Sequence, residues 1–146
     1  MANDGTGMVL SLLLGAANRP DQELFEAVLD DIAPVATPAG GRRRRPEKCH
    51  GDKGYDYRHC RAYLRRRGIT ARIARRGIES SQRLGRHRWQ AEQSIAWLLG
   101  CRRLRIRYDR GSERFYAFGL LACCRLSFNR YTDHTTRRPD RPLLAW

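Results

Sequence analysis

Lysine is almost absent from this chain of 146 residues: Lys48 and Lys53 are the only two among 29 basic side chains. Acidic residues are few as well, 15 in all, so the formal net charge is +14. The basic part is therefore the expected contact surface. Five cysteines occur, at 49, 60, 101, 123 and 124, but no Cys-x-x-Cys pair. None is spaced with His50, His59, His87 or His134 as zinc ligands usually are, which argues against a zinc module and for reduced, mostly buried thiols. Long apolar runs are missing too. The longest uncharged helical stretch, Phe115 to Cys124, reaches only half the ~20 residues a membrane span needs, and neither end reads as a basic-then-apolar signal. A cytoplasmic protein without membrane contact is expected.

What is present is arginine. Residues 1 to 35 carry six acidic residues against Arg19 alone, whereas residues 36 to 146 carry 28 basic against nine acidic. Guanidinium forks suit bidentate phosphate contacts better than ammonium groups do, so nucleic acid is the favoured partner. A coding bias toward arginine in GC-rich DNA is the plain alternative, because net charge reports on non-specific binding and not on fold. An RNA-binding reading is weaker, since aromatic residues do not interleave with the arginines as stacking platforms. The length suits one domain, and 41% hydrophobic residues supply a modest core.

Along the chain, Asn3-Asp4-Gly5-Thr6-Gly7 is turn chemistry and Met8 to Leu14 an apolar run, the second arm of a hairpin whose first arm is expected to be missing. Pro20-Asp21 opens a helix with Leu24, Phe25, Val28, Leu29 and Ile32 on one face and Asp21 as its cap, closed by Pro34. Residues 36 to 47 form a loop with the run Arg42-Arg43-Arg44-Arg45, a solvated, mobile segment that also suits a DNA backbone. A strand ending near Gly51 and Asp52 leads to a helix from about Tyr57 to Arg67, stopped by Gly68, and a strand Ile69 to Ala74. This alternation argues for an α/β sheet. After a polar loop from Gly77 to Gly85, a helix around Arg88 to Cys101 places Ala91, Ile95, Leu98 and Leu99 toward the sheet, with Glu92 at the stripe's edge. Ser112 caps a last helix running from Glu113 to about Arg130. The basic tail from 132 to 146 has a disordered composition, leaving 1–131 as the folded part.

Two carboxylates carry the chemical interest. Asp52, at the carboxyl end of a central strand, and Glu92, on a following helix, are placed to converge on divalent ions of the kind that assist phosphodiester cleavage. Each also has an ordinary explanation: an Asp after a strand caps turns, and Glu92 pairs with Arg88 one helical turn earlier.

The surrounding motifs go further. Cys49-His50-Gly51-Asp52-Lys53-Gly54-Tyr55, Leu64-Arg65-Arg66-Arg67-Gly68-Ile69, Arg88-Trp89-Gln90-Ala91-Glu92-Gln93-Ser94-Ile95-Ala96-Trp97-Leu98, the arginine-rich stretch Arg102 to Arg110 and Ala117 to Cys123 occur in a familiar order and spacing. They resemble the catalytic domain of bacterial insertion-sequence transposases of the DDE superfamily, of the insertion sequence four/five-like kind. The resemblance implies a ribonuclease H-like fold with its first strand and most of the second missing. It also implies Asp52 and Glu92 as the second and third catalytic, metal-holding carboxylates, Arg88 as a supporting arginine, and Mg²⁺ or Mn²⁺ as cofactor. Its DNA would be the element's terminal inverted repeats and the target, touched by Arg42, Arg43, Arg44, Arg45, Lys53, Arg102 and Arg103.

The first carboxylate of such a site is expected upstream, on the upstream part of the transposase or another transposase copy, since Asp4 lies in a turn. Some relatives are read from two overlapping frames, and the chain fits the downstream product. Where some relatives carry a lysine seven residues after the Glu, this chain has Leu99, and the relatives' N-terminal helix-turn-helix is not expected here. The resemblance thus implies DNA cleavage and strand transfer by a two-metal mechanism; the alternative is a catalytically inactive, basic DNA-binding remnant.

Overall fold

The computed structural model describes residues 1–37, 39–77 and 85–137, the side chains of 85–88 and 134–137 excepted. The chain opens with a small antiparallel hairpin, β1 (Ala2–Asn3) against β2 (Val9–Ser11). Its turn is organised by Asp4, whose Oδ1 accepts from the Thr6 N–H at 2.8 Å, the Thr6 hydroxyl at 2.7 Å and the Met8 N–H at 2.8 Å. Gly7 takes φ +83°, a conformation that favours glycine. The first arm expected to be missing is thus present as a two-residue strand, because Asp4 closes the turn tightly enough for Ala2 to face Ser11. Asp4 itself is, as expected, a turn residue.

A 3-10 turn at Asp21–Leu24 leads into helix α1 (Phe25–Asp30), which buries Phe25, Val28 and Leu29. Asp21 does not cap it: Pro20 holds that position, with no side-chain bond, and Asp21 is the first residue inside the turn. The arginine run also departs from expectation. It is not a free loop, since β3 (Val35–Ala36) pairs antiparallel with β4 (Arg42–Arg43). Arg43 meets Glu47 at 3.3 Å, and Arg45 donates to the Arg67 carbonyl at 2.8 Å. Helix ends leave carbonyls without intrahelical partners, and a nearby guanidinium satisfies one of them.

Next comes a β-α-β unit: β5 (Lys48–Gly51), helix α2 (Arg58–Arg66) and β6 (Thr70–Ile73), with the two strands parallel and His50 opposite Arg72. Gly68, at φ +65°, ends the helix where the sequence places its stop. Helices and short strands make an α/β chain, but among the described residues the strands form three separate two-stranded sheets. Residues 78–84, most of the expected polar loop, lie outside the described part.

Helices α3 (Gly85–Gly100), α4 (Arg102–Arg105) and α5 (Ser112–Arg137) complete the description. Two expectations change here. Ser94, with no exposed surface, and Leu98 turn inward, while Ile95 and Leu99 stay 46% and 47% exposed, because the hairpin and α5 occupy the Ser94 side. Also, α5 continues past Arg130 to Arg137; the rest of the expected tail lies outside the described residues. No helix among the described residues is long and apolar enough to cross a membrane.

The core divides in two. Phe25, Leu29, Cys60, Tyr63, Leu64, Ile69 and Ile73 form one cluster between α1, α2 and β6. Leu98, Ala122 and Cys123 form another, joined by Val9 and Leu12 of the hairpin segment. A bond from the Ser11 hydroxyl to Asp31 Oδ2, 2.8 Å long, links the two halves.

Candidate nucleic-acid interface and acidic cleft

Between these halves lies an open cleft of about 1520 Å³, and both sequence-singled carboxylates line it. Asp52 follows β5 directly and caps the 3-10 turn Lys53–Tyr55, its Oδ1 accepting from the Gly54 N–H at 2.8 Å. The capping role and a ligand role coexist on one residue, since a carboxylate offers about four lone-pair sites. Glu92 reaches the cleft from the other wall, on α3. That helix is fixed to the hairpin turn by two bonds, Gln90 Nε2 to the Gly5 carbonyl at 2.9 Å and Ser94 Oγ to the Gly7 carbonyl at 2.8 Å. Arg130 ties the same helix to α5, its guanidinium 4.4 Å from the centre of the Trp97 ring; burial pushes its pKa down from the usual arginine range.

Asp56 is a residue the sequence reading passed over. Its carboxylate accepts from Arg61 Nε at 2.8 Å and the Arg76 N–H at 2.9 Å, while Arg61 also donates to the Ile73 carbonyl at 3.0 Å. The loop after β5 is thereby tied to the end of β6, which fixes the stretch that carries Asp52. A signal was available: an acidic residue just before a helix whose first turn is basic. The Arg76 N–H first, and then the Arg61 guanidinium, hold the Asp56 carboxyl below the usual carboxylate range. A depressed folded pKa contributes stability that is present above the unfolded value and lost as pH falls through the folded one. Asp56→Asn should lower thermal stability at neutral pH and flatten its fall below about pH 4, where the wild type loses this contribution. Melting temperatures across that range check this, and an unchanged acid slope contradicts it.

The basic residues fall into two groups. Arg43, Arg44 and Arg45 line the cleft, and Lys48, Arg72 and Arg75, not singled out from the sequence, join them there. Arg42, exposed on β4, and Lys53, Arg102 and Arg103 are not among its lining residues. Arg103 is held by Asp109 at 3.5 Å and packs 4.7 Å from the Phe118 ring centre, and Arg102 lies 5.9 Å from that of Tyr108. Arg88 belongs to α3, but its side chain lies outside the described residues. The cysteines are free thiols, and burial, with Cys60 nearby, pushes Cys49 up to about 11, so it is no nucleophile at neutral pH.

Among the described residues no three His, Cys, Asp or Glu side chains gather closely enough to hold a metal ion. Asp52 and Glu92 share a cleft, and among the described residues no third such side chain joins them there as a ligand.

Comparison with known proteins adds the following. A family profile described as "Transposase DDE domain" matches residues 1–127. The chain is 37% identical over 143 residues to a "Putative transposase for insertion sequence element IS402" from Burkholderia cepacia, covering 98% of this chain and 65% of that protein. It thus spans just under two thirds of the length of that curated relative. No solved structure matches.

Proposed function

Because this chain belongs to the DDE transposase family, we propose that it serves an insertion sequence as the part of a transposase that carries two acidic site residues, Asp52 and Glu92, and a basic track for DNA. One observation carries the reading: the two carboxylates that the motifs single out reach the same open cleft from opposite walls, although they lie on separate halves of the structure. Arg43, Arg44, Arg45, Lys48, Arg72 and Arg75 border that cleft and supply phosphate contacts beside the acidic residues. The reaction is hydrolysis at the element end and joining of the freed 3′ hydroxyl to target DNA, on a ribonuclease H-like frame. A two-metal mechanism with Mg²⁺ or Mn²⁺ requires a further carboxylate beside Asp52 and Glu92, supplied by another part of the transposase or another copy. A cytoplasmic site of action accords with a chromosomal DNA substrate.

The test pairs binding with nicking. Affinity for duplex DNA should fall with salt at a log-log slope of roughly 0.9 per phosphate contacted, with little sequence preference. Nicking of element-end DNA should appear when divalent ion and the remaining transposase segment are both supplied. A flat salt response removes the DNA track, and binding without nicking under those conditions leaves the chain a basic, inactive remnant.

A further inference from the structure

Between α3 and α5 the chain turns through α4 and a connector, residues 106 to 111, and none of these residues lines the cleft. Residues 102 to 110 hold five arginines against one acidic residue, Asp109, which already meets Arg103 at 3.5 Å. Three of the guanidiniums lie over aromatic rings: Arg102 is 5.9 Å from the centre of Tyr108, Arg103 4.7 Å from that of Phe118 and Arg107 5.5 Å from that of Phe115. Such contacts order a side chain before any ligand arrives, which lowers the ordering cost of binding. Arg107 also donates to the Asp109 carbonyl at 3.0 Å and the Arg110 carbonyl at 3.2 Å, so it braces the connector. Its two neighbours point elsewhere. Ile106 is 50% exposed and Tyr108 56%. A lone exposed apolar residue is ordinary, but these two flank a braced arginine and stand among the exposed Arg102, Arg105 and Arg110.

We infer that this corner bends duplex DNA: Ile106 enters the minor groove as a wedge between base steps, with Tyr108 beside it, and Arg102, Arg105 and Arg110 take the flanking phosphates. An apolar wedge among arginines is how minor-groove proteins unstack a step and kink the duplex, by about 20–90°. Five arginines favour a polyanion over an apolar or basic protein surface. Single strands are held by stacking successive bases on open rings, whereas the rings of this corner carry guanidiniums, so the partner is duplex. Glu92 lies about 12 Å of helix before the end of α3 at Gly100, which places the kink beside the acidic cleft. The inference rests on the proposed DNA track and adds a deformation to it: selectivity is for DNA that bends easily, not for base order.

The experiment titrates the full chain into a duplex of about 25 base pairs that carries a donor and an acceptor dye at its ends, so that energy transfer reports the bend. Transfer should rise on binding. A duplex with an internal gap should bind about tenfold more tightly than the intact one, because the gap removes much of the elastic cost of bending. Ile106→Ala should lose both effects while its unfolding midpoint barely moves, since the side chain is exposed. Ile106→Met, which installs another wedge residue, should keep them. Salt-dependent binding with unchanged transfer overturns the proposal, and so does a rise that survives Ile106→Ala. Equal affinity for double-stranded RNA, whose minor groove is wide and shallow, overturns it as well. A flat salt response in the same titration removes the DNA track itself and the bend with it, so failure of that reading and failure of this one are distinguishable. The readout needs neither divalent ion nor nicking.

Discussion

If Asp52 and Glu92 hold metal ions as proposed, Asp52→Asn and Glu92→Gln should each reduce nicking of element-end DNA at least about a hundredfold when the remaining transposase segment is supplied, since even the outer partners of a metal site are worth ten- to a hundredfold and direct ligands more. Neither amide bridges metal ions as a carboxylate does. DNA affinity should stay within a few-fold of wild type, because the phosphate contacts are proposed for Arg43, Arg44, Arg45, Lys48, Arg72 and Arg75, which line the cleft, and not for the acids. Asp52 calls for a control, since its Oδ1 also holds the Gly54 N–H. Asparagine keeps a side-chain oxygen for that cap, so the unfolding midpoint should barely move while nicking disappears. Single-turnover nicking, filter binding and thermal melting on the same preparations separate the three quantities. Equal loss of binding and nicking would make Asp52 and Glu92 structural residues.

The second large effect is on stability. Leu64→Ala should cost about 2 to 5 kcal/mol, as burial and cavity terms add for a leucine removed from a packed core. Leu64 has no exposed surface and lies among Phe25, Leu29, Cys60, Tyr63, Ile69 and Ile73. Tyr63 of this cluster has a hydroxyl that donates to Asp30 at 2.6 Å and accepts from Arg67 at 2.6 Å, so a collapsed cavity also disturbs those two bonds. Stabilities of ordinary domains are about 5 to 15 kcal/mol, which makes this a large share. Leu121, 65% exposed, provides the contrast: its replacement by Ala should stay within about 0.5 kcal/mol. Chemical denaturation of both variants decides the matter; similar losses would mean that α5 packs more tightly than its exposure suggests.

These two predictions draw on different kinds of legibility. Asp52 and Glu92 were singled out by local motifs, and their shared cleft was not, because sharing it depends on how α3 is fixed to the hairpin through Gln90 and Ser94. Asp56 escaped the sequence reading because its partners, Arg61 and Arg76, come together only when the parallel pair forms. The arginine run read as a solvated loop, yet Arg45 lies close to the end of α2 in space and is 22 positions from Arg67 in sequence.

Elements whose cause is local are legible in the residues alone. Gly68 stops α2, the turn residues Asp4 and Gly7 close the hairpin, and the apolar spacing of Phe25, Val28 and Leu29 makes one face of α1. The net charge of +14 is legible there too, since composition alone fixes it. Which faces are covered follows instead from long-range packing. The helical pattern gives Ile95 and Leu98 equal claims to burial, but Leu98 meets Ala122 and Cys123 while Ile95 looks into the cleft. Periodicity places a side chain on a face; burial depends on what long-range contact, here the hairpin and α5, lays over it.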